Sequence, residues 1–229
     1  MVKIEHTVFA LPFAFMGALL AARGWPNSGQ VFWILVAMVG IRSAAMAFNR
    51  LVDAKIDAAN HRTRNREIPR GVLKKSEVWV FVAASAVVFV LAAYELNRLC
   101  FILSPVALAV TFFYSFTKRF TWLSHLILGG AIGLAPIGGW VAVAGSFHLI
   151  AFLLGAAVLF WIAGFDIVYA CQDYEFDRSY TLKSIPQRWG ISKALRVSEL
   201  CHLITFALLV TVGIMAGLGS AYYAGLVLI

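Results

Sequence analysis

Charge is scarce in this chain, and acid scarcest. Eleven Asp and Glu stand against nineteen Lys and Arg in 229 residues, 13% charged in all. Soluble domains carry about 25% charged and 45–50% apolar residues. At 62% hydrophobic and a mean hydropathy of +0.85, the chain falls outside that class and reads as a polytopic membrane protein. Cysteine is nearly absent as well. Cys100, Cys171 and Cys201 form no CxxC pair and lie in or beside apolar runs, which sets aside a disulfide framework or a thiolate metal site. His6, His61, His125, His148 and His202 show no metal-ligand spacing and read as structural or surface residues. No low-complexity linker and no soluble domain interrupts the chain. The net charge of +8 is not a nucleic-acid footprint, because the basic residues sit in short loops between apolar segments.

Those segments fall near residues 7–23, 31–52, 78–96, 99–117, 121–144, 148–171 and 195–216. The first could be mistaken for a cleaved signal, but Glu5 and His6 interrupt its start, Pro12 lies inside it, and it is long enough to span. An eighth segment begins near 219 and reaches only Ile229. Eleven residues cover about 16 Å of a hydrocarbon core about 30 Å thick. The expectation is an all-α membrane helix bundle, one transmembrane domain over 1–229, with seven full membrane helices and a partial eighth, truncated at its C-terminus.

Charge then sets the orientation. The N-terminus and the loops after the second, fourth and sixth helices hold fifteen basic residues, Lys3 among them. The opposite loops hold only Arg23 and Arg98. By the positive-inside rule the basic side is cytoplasmic.

The few acids are not scattered. Asn49, Asp53 and Asp57 are spaced four apart at the end of the second apolar segment. On a helix such steps rotate by about 40° and climb about 6 Å, so the three side chains form one polar ladder. Asp166, Asp173 and Asp177 close the sixth segment at steps of seven and four, again one helical face. Both ladders emerge on the cytoplasmic side. A lone aspartate there would read as a solvated helix end. Two ladders, at membrane depth, suit a diphosphate held through divalent cations. The two halves also repeat a plan, since a basic loop with Pro and Gly follows each ladder (Pro69 to Gly71, Pro186 to Gly190), a weak internal duplication.

Basic and polar residues alternate from Asn60 to Arg66, and arginine's planar fork grips phosphate oxygens in pairs. A polybasic loop could equally anchor lipid headgroups, but adjacency to the first ladder favours substrate. Lys118 and Arg119 suit either phosphate contact or positive-inside anchoring. Arg42, seven residues before Asn49 inside an apolar segment, needs an anion: an aromatic acceptor's carboxylate or one of the aspartates. Tyr169, one turn from Asp166, could stabilise a cation with its ring or fill the core.

At these residues the chain resembles the UbiA superfamily of intramembrane prenyltransferases. The NxxxDxxxD pattern is matched by Asn49, Asp53 and Asp57. Asn60 to Gly71 is similar to the family's Arg-rich segment with its Pro-x-Gly turn, and Tyr114 to Arg119 to its YSxxKR segment. Asp166 to Asp173 with Asp177, followed by Lys183, Ser184 and Gly190, matches the second motif. The resemblance implies a bundle of about nine helices around a cavity capped by cytoplasmic loops. It implies Mg²⁺ held by Asp53, Asp57, Asp173 and Asp177, and electrophilic prenylation of an aromatic ring. In that scheme Asn49 orients the diphosphate, and Arg62, Arg66 and Lys118, with Arg119, bind phosphate. Asp166 shapes the acceptor site or takes the ring proton, with Tyr169 and Arg42 as further substrate contacts.

The form of the second motif looks most like the 4-hydroxybenzoate polyprenyltransferase branch of quinone biosynthesis. Expected partners are a polyprenyl diphosphate, a small aromatic acceptor and membrane lipid, with no nucleic acid, in a bacterial inner membrane with the site facing the cytoplasm. The alternatives are another acceptor (dihydroxynaphthoate, a glyceryl phosphate, haem or a chlorophyllide) or, from another class, a carboxylate-based cation transporter. The transporter gives no reason for arginines beside the carboxylates.

Overall fold

The computed structural model describes the backbone of residues 4–227 and the side chains of residues 11–227. Lys3, and the side chains of Glu5 and His6 used in reading the first segment, lie outside the described residues.

Backbone polar groups in hydrocarbon must be satisfied within their own segment, and every long apolar run is accordingly a helix. The order is α1 (Ile4–Ala22), α2 (Ser28–Val52), α3 (Ala54–Ala59), α4 (Lys75–Leu96), α5 (Arg98–Thr117), α6 (Ser124–Ala144) and α7 (Leu149–Ala170). After a 3₁₀ turn (Cys171–Asp173) come α8 (Tyr174–Ser179), α9 (Ile185–Trp189), α10 (Ile191–Met215) and α11 (Ser220–Val227). The described residues hold no strand. Six helices among them are long and apolar enough to cross a membrane, and α1 adds the shorter apolar stretch Leu11–Ala22. The fold is therefore the expected all-α membrane bundle.

Polar residues mark the helix ends. Asn27 accepts the Gln30 N–H at 2.8 Å while Gln30 accepts the Asn27 N–H at 3.2 Å, a reciprocal cap that opens α2. Asn97 caps α5 through the Cys100 N–H (2.9 Å) and donates its own amide to the Val141 carbonyl of α6 (2.8 Å). Inside the bundle α6 lies between α1 and α7. Two glycines permit that closeness: a Cβ at Gly139 would stand 2.0 Å from the Ala14 carbonyl oxygen, and one at Gly129 2.2 Å from that of Leu159. Small residues are how membrane helices approach when water supplies no driving force between them.

The two ladders differ from the continuous helical faces expected of them. α2 stops at Val52, and Asp53 itself is the joint to α3 (φ −88°, ψ 2°). The four-residue register survives, because the Asp53 N–H donates to Asn49 O and the Asp57 N–H to Asp53 O. The second ladder is broken more thoroughly, since the 3₁₀ turn separates Asp166 on α7 from Asp177 on α8. Three-residue turns advance faster than α turns, so the steps of seven and four no longer share one face.

The connections α2–α4, α5–α6 and α7–α10 meet at one end of the bundle, where the Lys183 N–H donates to the Lys118 carbonyl at 2.8 Å. Beneath them an apolar cavity of about 460 Å³ runs among α1, α2, α4, α5 and α6.

Candidate functional site

Asp53 and Asp57 are buried, 2% and 4% exposed, in a chain that solvates few charges at that depth. Ionised carboxylates can stay there only with cationic partners, and both have them. Lys118 Nζ lies 2.6 Å from Asp53 Oδ2 and Arg119 Nη2 2.9 Å from Asp53 Oδ1. Arg119 also donates to the carbonyls of Ser115 (2.7 Å) and Val52 (3.0 Å), which pins α5 to the end of α2. Asn49 donates to Asp53 Oδ2 at 3.3 Å and to Ser115 Oγ at 3.4 Å. Arg66 Nη1 reaches both oxygens of Asp57, at 2.9 and 2.8 Å, and Thr63 donates to the Asp57 carbonyl.

The second acidic stretch is reached from the first half of the chain. Arg62 forks onto Asp173, its Nε donating to Oδ1 at 3.0 Å and its Nη2 to Oδ2. Asn60 adds an amide donor to Asp173 Oδ1 at 3.1 Å. The remaining Arg62 nitrogen donates to the Tyr169 hydroxyl at 2.8 Å, and its guanidinium lies 5.0 Å from the ring centre. The Asp173 carboxylate raises the Arg62 pKa above even its ordinary value. Tyr169 is 44% exposed, so it fills no core; its ring already faces a cation, the guanidinium of Arg62. Asp177 is different: among the described residues its recorded side-chain hydrogen bond is from the Ser184 hydroxyl, at 2.8 Å. Asp166 meets His125 Nδ1 at 2.7 Å.

The structure thus gathers Asn49, Asp53, Asp57, Arg62, Arg66, Lys118, Asp166, Tyr169, Asp173 and Asp177 around one polar chamber. Arg119 braces its wall through Asp53. Arg42 lines the apolar cavity below. Asn49 and Tyr114 line both spaces, so the polar chamber and the apolar cavity adjoin at those two residues. Lys118 and Arg119 act here on Asp53, a role beyond the two weighed from sequence. Asn60, Ser184 and His125 also line the chamber; from sequence, Asn60 and Ser184 stood only within the matched segments and His125 read as a structural or surface residue. Asn60 stands one turn past Asp57, a usable signal. His125 lies 41 residues from Asp166, and no spacing could have joined them.

The donor set fits a hard cation. Mg²⁺ takes one or two carboxylates and completes its octahedron with phosphate oxygens and water. Among the described residues no three His, Cys, Asp or Glu gather into a cage that could hold a metal unaided. Carboxylates spread along two walls suit an ion that arrives with a phosphate ligand.

Known proteins resemble this chain in sequence and in fold. The sequence profile described as the UbiA prenyltransferase family matches residues 10–229. The 4-hydroxybenzoate octaprenyltransferase of Xanthomonas campestris pv. campestris is 36% identical over 208 residues, 90% of this chain and 68% of that protein. Its namesake in Vibrio atlanticus is 31% identical over 205 residues, 90% of this chain and 72% of that one. Among solved structures, the apo form of a UbiA homolog from Aeropyrum pernix K1 superposes with a TM-score of 0.93 at 38% identity, covering 100% of this chain and 86% of that one. A UbiA homolog from Archaeoglobus fulgidus bound to GPP and Mg²⁺ shares the fold at 22% identity, with a TM-score of 0.77 over 97% of this chain and 78% of that one.

Proposed function

The chain belongs to the UbiA prenyltransferase family, and from that premise we propose that it transfers a polyprenyl group from its diphosphate to 4-hydroxybenzoate, with Mg²⁺, at the cytoplasmic face of a bacterial inner membrane. The observation that carries this reading is the adjacency of the two spaces, which share Asn49 and Tyr114 in their walls. A charged chamber beside an apolar cavity of about 460 Å³ matches a molecule with a diphosphate head and a hydrocarbon tail. The relatives named for 4-hydroxybenzoate support the acceptor.

Asp53, Asp57, Asp173 and Asp177 would hold Mg²⁺, which when bound supplies charge neutralisation of the leaving diphosphate. The protein's own groups do the rest. Arg62, Arg66 and Lys118 lie on the chamber wall with their charges on carboxylates. A diphosphate offers each of them oxygens in a geometry that guanidinium and ammonium groups bind well. Asn49, in the wall of both spaces, orients the bond that breaks. The apolar cavity takes the prenyl chain and excludes water, which would otherwise capture the allylic centre. Arg42 meets the acceptor's carboxylate. As the C–O bond of the prenyl diphosphate breaks, its electron pair leaves with the diphosphate and the ring carbon forms the new C–C bond. The displaced ring proton passes to a carboxylate oxygen of Asp166.

Membranes containing the chain, incubated with labelled geranyl diphosphate and a panel of acceptors, test the reading. Label should appear in prenylated 4-hydroxybenzoate. Transfer to dihydroxynaphthoate or a glyceryl phosphate instead would overturn the acceptor.

A further inference from the structure

Histidine 125 is buried, 3% exposed, at the second residue of α6, and both of its ring nitrogens are engaged. The Ile185 backbone N–H points at Nε2 at 3.3 Å. An amide N–H can only donate, so Nε2 carries a lone pair. The ring hydrogen then sits on Nδ1 and is donated to Asp166 Oδ2 at 2.7 Å. A doubly protonated ring would set one N–H against another. The donor that fixes this tautomer is held by its neighbour, since Ser184 caps α9 through the Gln187 N–H at 3.2 Å and donates its hydroxyl to Asp177. One dipeptide, Ser184-Ile185, therefore ties Asp177 on one side and His125 on the other.

We propose that His125, locked as the Nδ1–H tautomer by the Ile185 amide, is a positioning residue that presents Asp166 to the aromatic acceptor. With Oδ2 held by His125, Oδ1 would be the oxygen offered to the acceptor ring in the chamber that Asp166 lines. His125 has no free lone pair toward Asp166 and takes no proton itself. Its role rests on the reading of Asp166 given above, but its tautomer does not.

Two measurements separate these. Solid-state ¹⁵N NMR of histidine-labelled full-length protein in bilayers, with His125→Asn identifying the resonances, should report a protonated Nδ1 and a bare Nε2. The opposite tautomer or an imidazolium would overturn the proposal whatever the enzyme's acceptor. For turnover, geranyl diphosphate and 4-hydroxybenzoate serve as probes. His125→Ala frees the carboxylate and should lower kcat by about 100-fold, the cost of a misplaced catalytic group. KM for geranyl diphosphate should stay within about twofold, because diphosphate-binding groups are untouched. His125→Asn places an amide N–H near the Nδ1 position and should recover most of that loss. His125→Gln, whose amide reaches the Nε2 position, should not. Equal kcat in the Ala and Asn variants, or a common rise in KM for geranyl diphosphate, would reduce His125 to a packing residue. Absence of any aromatic transfer by the unaltered protein sinks the proposed acceptor, while the NMR result stands alone.

Discussion

The two acidic stretches follow one plan in sequence and two in space. The first is buried and self-contained. Asp53 and Asp57 are nearly inaccessible, and their cations come from the adjoining loop and from the end of α5. The second is half-open. Asp173 draws Arg62 and Asn60 across from the first half, and Asp177 takes the Ser184 hydroxyl. Burial decides what each can do. A carboxylate without water must have a permanent cation, so the first stretch doubles as a structural clasp between α2 and α5. A partly exposed carboxylate can exchange partners at small cost, so the second is suited to move when ligand arrives.

Breaking each clasp in turn separates the two roles. Asp53→Ala leaves Lys118 and Arg119 beside a buried hole. It should destabilise the protein by about 3 kcal/mol, the low end for a broken buried pair because both cations are a third exposed. The thermal midpoint in detergent should fall clearly. Asp173→Ala releases an already accessible Arg62 to water and should cost under about 1 kcal/mol of stability while still abolishing turnover. Equal midpoints for the two variants would erase the distinction drawn here.

Metal binding sharpens the same contrast. A divalent cation at Asp53, Asp57 or Asp173 must first displace an ammonium or guanidinium, and the displaced group then needs an anion. Metal and diphosphate should therefore reinforce each other by about 5–150-fold in affinity, the usual range of such couplings. Mn²⁺ binding followed by electron paramagnetic resonance, with and without inorganic pyrophosphate, measures this directly. The residual affinity for metal alone should vanish in Asp177→Asn and persist in Asp53→Asn. Chelation should leave the thermal midpoint of the unliganded protein unchanged, because internal cations neutralise three of the four carboxylates. Tight Mn²⁺ binding without pyrophosphate would contradict the clasp.

Much of this contrast was out of reach of the sequence, for identifiable reasons. All five aspartates of the chain fall in the two stretches, and in so apolar a chain that alone marks them. Helix ends were legible because hydropathy must change there: α11 opens at Ser220, close to where the last apolar run begins, and α5 closes at Thr117, where its run ends. The breaks at Asp53 and at Cys171–Asp173 were not legible, since a four-residue spacing survives a tightened turn. Nor were the pairings. Asn60 and Arg62 meet Asp173 from 113 and 111 residues away, and only the packed bundle brings them together. Nor does the sequence reveal the role of His125, because a hydrogen bond to a carboxylate on another helix has no spacing.

The smallest expected effect tests whether Arg62 is a latch or a fixture. Its guanidinium is held by Asp173 on one edge and by the Tyr169 hydroxyl on the other, with the ring beneath it. Tyr169→Phe keeps the ring, and hence the cation–π contact, and removes only the hydroxyl acceptor. One neutral acceptor to a charged donor at a partly exposed site contributes about 1 kcal/mol. If Arg62 must leave Asp173 to bind diphosphate, loosening it in the unliganded state favours the bound arrangement. The variant should then bind geranyl diphosphate a few-fold more tightly, by about the factor that 1 kcal/mol represents. If Arg62 instead stays on Asp173 throughout, the same change loosens a fixed wall and affinity falls. The sign of the change in Kd, read by titration calorimetry, decides between them, and the openness of the second acidic stretch favours tighter binding.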